Sequence, residues 1–357
     1  MRNVTIIGGG VVGITTALHL QRMGHHTTVV THLNPLDHIA EPTIPQFASL
    51  YPAALVVPHS VEMKNLHAVF EMSQKIFAQL SSDGRTGVRW QRHYEITATP
   101  NGALPDYSDL LRDYRPYDGS LDEIGFEEAI GRKLHGWSAL CLFVETPRYL
   151  RHLYREYAEV GGNVVIRRLG SNDVPSLDAD VIVNCTGLWA RELCNDPHVH
   201  AIRGYLVRVL DAPFPVLPHG ENFSYNYKPP DSEYLYDVYF FPRSDGWLLG
   251  GSRENSDTDG AEPWTFPDHH QKMVDGVPEP VLTINRTILK HATRTTDIAD
   301  LQRRSFYGYR PGRRGGVRLE LAEEFGRPVI HNYGHGGGGV CLSWGCADIV
   351  GRLVEEL

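Results

Sequence analysis

Val4-Thr5-Ile6-Ile7-Gly8-Gly9-Gly10-Val11-Val12-Gly13, continued as far as Thr31, is the stretch that decides how this chain folds. The apolar run at 4–7 ends on glycine and reads as a buried parallel strand. Val11, Ile14, Ala17, Leu18 and Leu20 then recur at helical spacing over residues 11–23, and Gly24 stops the helix. Residues 27–31 are largely β-branched and read as a second strand. Between the first strand and the helix lies G-x-G-x-x-G. Gly8 permits the tight turn, Gly10 lets the backbone approach a pyrophosphate, and Gly13 lets helix and strand pack closely. Val11 and Val12 open the helix, whose N–H donors and dipole favour phosphate. The whole reads as a dinucleotide-binding strand–turn–helix–strand unit. On this motif alone nicotinamide and flavin dinucleotides both stay open.

One expected part is missing. An acid normally ends the second strand and binds the ribose. Here the chain reads Val30-Thr31-His32-Leu33-Asn34, and the nearest acid is Asp37. Asn34, Asp37 or a backbone group are the candidate substitutes, and a solvent-facing His32 is the plain alternative.

The 357 residues exceed what one hydrophobic core usually holds, so two domains are expected. A content of 41% hydrophobic and 22% charged residues is that of an ordinary globular protein, and no apolar run reaches the length of a membrane span. The net charge of −9, with signs mixed throughout, leaves no basic patch for nucleic acid. Five cysteines without paired spacing point to reduced thiols. With no signal-like start and no address at the C-terminus, a cytoplasmic protein is expected. No CxxC or HExxH pattern supports a protein-ligated metal. His25-His26 and His269-His270 are expected on solvated surfaces.

Further along, helical spacing is expected over 61–80 and 147–160, and strands at 164–166 and 181–183. Residues 203–252 alternate like antiparallel strands, with a hairpin at Pro242-Arg243-Ser244-Asp245-Gly246. A strand at 328–331 leads into Gly334-His335-Gly336-Gly337-Gly338-Gly339, and a helix is expected from about 340 to 355. Strand–helix alternation at both ends with antiparallel strands between gives the fold class α/β plus α+β. It is a split Rossmann-like domain with an inserted, mainly antiparallel domain. The divisions expected are 1–59, 136–199 and 298–357 for the first, and 60–135 and 200–297 for the second.

The second glycine-rich turn points to a ligand, since packing alone does not require it. In a flavoprotein its N–H groups would meet the electron-rich edge of the isoalloxazine and stabilise the anion formed on reduction. Arg310, in Tyr307-Gly308-Tyr309-Arg310-Pro311, could hold a carboxylate in a bidentate fork. From residue chemistry alone, a surface arginine and a core aromatic remain the ordinary readings of Arg310 and Tyr239.

Taken together, the first glycine pattern, Asp180-Val181-Ile182-Val183-Asn184-Cys185-Thr186-Gly187-Leu188-Trp189-Ala190, Arg203-Gly204, Gly308-Tyr309-Arg310-Pro311 and His331-Asn332-Tyr333-Gly334-His335-Gly336-Gly337 resemble the D-amino-acid oxidase family over nearly the whole chain. The resemblance implies non-covalent FAD and a D-amino acid as substrate. The Cα hydrogen would leave as hydride to flavin N5, and the imino acid would hydrolyse to a 2-oxo acid and ammonia. Dioxygen would take the electrons and give hydrogen peroxide. By position, Arg310 and Tyr239 match the residues that hold the substrate carboxylate. Gly336, Gly337, Gly338, Gly339 and Val340 match the flavin-edge loop, with Gly337 beside the substrate and Cys341 just after it. Leu169 matches a backbone contact to the adenosine end. Ala48, Ser49, Leu50 and Tyr51 match the segment beside the flavin ring, and Thr186 and Gly187 belong to the cofactor side. Tyr234 or Tyr236 stands where the family has its lid tyrosine.

Departures from the family are His32 for an acid, Gly338 for a larger residue, Cys341 for threonine, and a longer segment between Arg203 and Tyr239. An altered lid implies an altered substrate, so several readings stay open. They are a glycine- or sarcosine-type amine oxidase, a tailoring enzyme for a cyclic amino acid, and an FAD dehydrogenase that passes electrons to a carrier. A homodimer is one assembly open to it.

Overall fold

The computed structural model describes every residue except 52, 101–103, 118, 120–121, 215–219, 257–263, 268–271 and 295. His269 and His270 lie outside the described residues.

Strand Asn3–Ile7 pairs in parallel with His26–Thr31 on one side and Val181–Asn184 on the other. The six-stranded sheet built on it runs Arg318–Glu324, Arg327–Tyr333, Val181–Asn184, Asn3–Ile7, His26–Thr31, Asn163–Ile166. Only the edge strand Arg318–Glu324 is antiparallel. Both neighbours of the first strand are therefore far from at least one of their own partners in sequence, as a split Rossmann-like unit requires. Helix Val11–Arg22 packs against helices Thr146–Glu159 and Ser343–Glu356. Ile14, Leu18, Leu150, Leu153 and Val350 are at most 1% exposed where these elements meet. Each such burial stabilises by about 1.5–3 kcal/mol.

The larger sheet has ten strands. Its central pairs join Val199–Val209, Gly246–Gly250, Val238–Arg243, Phe223–Lys228, Val88–Thr97 and His135–Val144 in that order. Arg303–Arg313 adds alongside Val199–Val209. Every pair is antiparallel except Phe223–Lys228 with Val88–Thr97. Alternation gives the sheet two unlike faces. Tyr225, Phe240, Trp247 and Leu249 point into a core shared with helix Glu279–Thr293. Glu95, Asn226 and Tyr239 stand at successive register positions on the other face. The expected hairpin is present, and Gly246 turns it with φ +116°.

Residues 136–144 and strand Arg303–Arg313, expected with the cofactor unit, pair within the larger sheet. Ladder partners on other strands decide this, and local pattern does not carry them. The second long helix begins at Leu66, because residues 61–65 are extended and turn. The last helix begins at Ser343, since the chain after Gly339 makes another turn first. His26 is exposed as expected, but His25 is buried. Gly24 at φ +92° folds the chain back, and the His25 N–H closes on Leu20 O at 3.1 Å, drawing the residue under the helix end.

A Cβ on Gly13 would lie 1.9 Å from Gly8 O, a backbone atom that no rotamer change can move. Gly13→Ala gains about 1 kcal/mol of helix propensity but incurs overlap worth about 1–3 kcal/mol or more. Urea unfolding is expected to show a net loss of stability; a variant as stable as the parent would refute this role for Gly13.

Candidate active site

A long cavity runs from the first glycine turn to Arg310. Gly8, Gly10, Val11, Val12, Ala48, Ser49, Tyr51, Leu169, Thr186, Gly187, Gly336, Gly337, Gly339, Val340, Tyr239 and Arg310 all line it. These residues come from seven separate stretches of chain.

At the turn, Gly8 has φ +116°, and a Cβ there would fall 2.4 Å from Cys185 O on the neighbouring strand. On Gly10 a Cβ would meet only Ser49 Oγ, at 3.2 Å, so its other side faces the cavity. The Val11 N–H donates to Ser49 Oγ at 2.9 Å. That bond caps the helix and leaves Val12 among the donors that the first turn cannot satisfy internally. The Tyr154 hydroxyl donates to Gly9 O at 2.7 Å and braces the turn from behind. The sequence shows Tyr154 only as one apolar position on a helix face; nothing local marks its reach to Gly9.

At the far end of the second strand, Thr31, His32, Arg167, Arg168, Leu169 and Trp189 line the same cavity. His32 therefore does more than meet solvent: its ring centroid lies 4.5 Å from that of Trp189. Asn34 accepts from the Leu36 N–H at 3.2 Å and donates to Asp37 Oδ1 at 3.1 Å. Both proposed acid substitutes are thus spent on a local turn, and neither lines the cavity.

At the other end, a Cβ on Gly204 would sit 2.5 Å from Arg310 Nη1, and one on Gly250 would sit 2.2 Å from the Tyr239 ring. Glycine opposite each side chain gives it room to lie across the sheet. Arg310 Nη1 donates to Ser252 O at 3.1 Å. Burial lowers the guanidinium's pKa and raises that of the Tyr239 phenol, while each group favours the charged form of the other. A cation enclosed by protein yet open to the cavity is a site for an anion.

Six of the expected site residues lie elsewhere. Gly13 faces Gly8 O, and Leu50, 2% exposed, belongs to the core. Gly338 packs on Val61, and the Cys341 thiol donates to Gly338 O at 3.3 Å. Burial pushes that thiol up to about 12. Tyr234 is 1% exposed with its hydroxyl donating to Gly251 O, and Tyr236 packs edge-on to it at 5.6 Å. Both therefore serve the aromatic core of the larger sheet. The second glycine loop also spends more donors internally than its sequence suggests. The N–H groups of Gly336, Gly337 and Gly338 bond to Pro311 O, Ser60 O and His335 O.

The cavity, with a helix N-terminus at the first glycine turn and an elongated course between two glycine loops, has the form of a dinucleotide site at the carboxyl edge of a parallel sheet. The chemistry fits FAD: backbone donors for a pyrophosphate at one glycine turn, and Gly339 and Val340 at the other. The site is that of a flavin-dependent oxidoreductase. The DAO family model, described as FAD dependent oxidoreductase, matches residues 3–353. A D-amino-acid oxidase of Rubrobacter xylanophilus is 31% identical over 98% of this chain and 94% of its own. One of Streptomyces coelicolor is 30% identical over 99% of this chain and 96% of its own. Among solved structures, glycine oxidase from Bacillus cereus is similar in fold, with a TM-score of 0.63 at 15% identity over 100% of this chain and 95% of that one. The chain belongs to the DAO family of FAD-dependent oxidoreductases, and FAD is its cofactor. All five cysteines are free, and no helix among the described residues is long and apolar enough to cross a membrane.

His335, on the cavity wall, is 2% exposed, and burial lowers its pKa to about 4. The unfolded chain, near 6.5, binds this proton more readily, so folding stability is lost as pH falls from about 6.5 towards 4. Over that range the group accounts for roughly 3 kcal/mol. Thermal unfolding should therefore show a steeper acid loss for the parent than for His335→Gln; parallel pH profiles would refute it.

Proposed function

We propose that this enzyme oxidises D-amino acids, with Arg310 and Tyr239 holding the substrate carboxylate. The carrying observation is the Arg310–Tyr239 pair. A guanidinium whose Nη1 donates to Ser252 O faces the cavity beside a phenol that can donate to the same anion. FAD held in this cavity would supply the acceptor for the hydride of the substrate Cα–H bond. The protein's own contribution is positioning, which can supply several kcal/mol without a protein base. Arg310 offers a planar fork to two carboxylate oxygens, and Tyr239 fixes which way the carboxylate turns. Gly337 leaves the floor flat: a Cβ there would approach Arg310 Cδ at 3.8 Å. The imino acid released would hydrolyse to a 2-oxo acid and ammonia, and dioxygen would carry the electrons away as hydrogen peroxide. The names of the two bacterial relatives support this reading.

We assign Gly10, Val11 and Val12 to the pyrophosphate, Leu169 to the adenosine end, and Ala48, Ser49 and Tyr51 to the neighbourhood of the flavin ring. Gly339 and Val340 supply the donors of the second loop. The six-stranded sheet is taken as the cofactor domain and the ten-stranded sheet as the substrate domain.

Arg310→Ala is expected to lower kcat/KM for the best D-amino acid by at least about 100-fold, as loss of a charge-assisted pair would. Tyr239→Phe should cost about 10-fold. Peroxide release gives the measure, and an Arg310→Ala enzyme with unchanged turnover and affinity would sink the carboxylate assignment.

A further inference from the structure

A second cavity, of about 420 Å³, is lined by His59, Glu95, Tyr107, Tyr114 and Trp137 among others. Glu95 lies on strand Val88–Thr97, two residues after His93, so both side chains stand on one face of the larger sheet. This is a strand spacing, unlike the helix-borne pair of a HExxH motif. His93 is fully buried, and His59 reaches the pair from another part of the chain.

The three residues offer ligand atoms that all lie within 4.8 Å of one another. His59 Nε2 is 3.3 Å from Glu95 Oε2, and His93 Nε2 is 3.4 Å from the same oxygen. A charged imidazole hydrogen-bonded to a carboxylate normally closes to about 2.7–2.9 Å. Zinc bonds of about 2.0–2.2 Å give a tetrahedron of nitrogen and oxygen an edge of about 3.3–3.5 Å. Both separations match that edge. Moreover, the His59 Nε2 atom is buried and makes no hydrogen bond among the described residues.

The neighbouring strand Phe223–Lys228 supports the ligands rung by rung, with Ser224 in register with His93 and Asn226 with Glu95. Ser224 Oγ is 2.9 Å from His93 Nδ1, and a proton held on Nδ1 leaves the Nε2 lone pair free. Asn226 Nδ2 donates to the two Glu95 oxygens at 3.2 and 3.3 Å, which fixes the carboxylate and leaves it lone pairs to spare. Such outer hydrogen bonds are the usual support of metal-binding side chains.

We propose that His59, His93 and Glu95 bind a zinc ion. Two imidazoles and one carboxylate suit zinc, and the fourth position falls to a water from the cavity. The ion ties residues 57–61 to the larger sheet. Ser60 O accepts from the Gly337 N–H at 3.3 Å and Val61 packs on Gly338, so the tie reaches the second glycine loop. None of the three ligands lines the long cavity, and the proposal is independent of the oxidase reading.

The test uses tag-free, FAD-loaded enzyme, stripped with a chelator and titrated with zinc. One ion per chain should bind with a Kd of about 1 μM or lower. His59→Ala should weaken binding by at least about 100-fold, and Ser224→Ala by about 10-fold or more. Zinc should raise the Tm of the parent and leave that of His59→Ala unmoved. X-ray absorption at the zinc edge of the parent, which needs no variant to fold, should show only nitrogen and oxygen neighbours at about 2.0–2.2 Å. Failure of the parent to bind zinc, or an unchanged affinity in His59→Ala, would overturn the site. A sulfur neighbour at about 2.3 Å would also overturn it. Zinc would then lie at Cys194, Glu324 and His331, whose ligand atoms also stand within 4.8 Å of one another.

Discussion

The approach of helix Val11–Arg22 to strand Asn3–Ile7 is the constraint on which the rest of the structure depends. Gly13 lies so near Gly8 O that no side chain fits between them, and Gly8 in turn lies against Cys185 O of the next strand. This three-way contact of backbone on backbone brings the helix N-terminus to the sheet edge, where its unsatisfied donors face the cavity. Ser49 takes one of those donors and Tyr154 braces the turn from the opposite side. Segments more than a hundred residues apart thus converge on six residues of glycine-rich chain.

The same device recurs at the Arg310 end of the cavity with a different purpose. Gly204 and Gly250 leave space on adjoining strands, and the Arg310 and Tyr239 side chains fill it. At the first turn glycine admits backbone; in the larger sheet it admits a functional side chain lying flat. In both places the chemistry needs an absence of atoms at one position so that another group can be held there. Electrostatics then follows from enclosure. Arg310 is held by Ser252 O, and it and Tyr239 each bias the other's protonation.

How much of this was legible in the residues depends on the range of the interaction. The first turn, the hairpin at Gly246 and the long helices were readable because their causes are local: glycine at required φ, and apolar residues at period 3.6 or 2. The placement of His135–Val144 and Arg303–Arg313 was not, because a strand's partner is chosen across the sheet. Cys341 and Gly338 illustrate the same limit. Their position in a glycine loop suggested a ligand, yet a turn between Gly339 and Ser343 directs one into the core and the other onto Val61. Tyr234 is buried in the aromatic core of the larger sheet with Tyr236 edge-on against it, a ring contact that no local pattern shows.

The sequence by itself determined the turn from Gly8 to Gly13, since only glycine satisfies those backbone contacts, and, by resemblance, that FAD is the cofactor. The same resemblance pointed to Arg310 and Tyr239 as a pair. Tertiary structure alone decided what surrounds them. It spent Asn34 and Asp37 on a local turn and set His32 against Trp189. It paired Arg253 with Asp237 and His59 with Glu95. Those outcomes depend on distances between side chains remote in sequence, and charge and hydrogen bonding act through distance, so no local pattern could contain them.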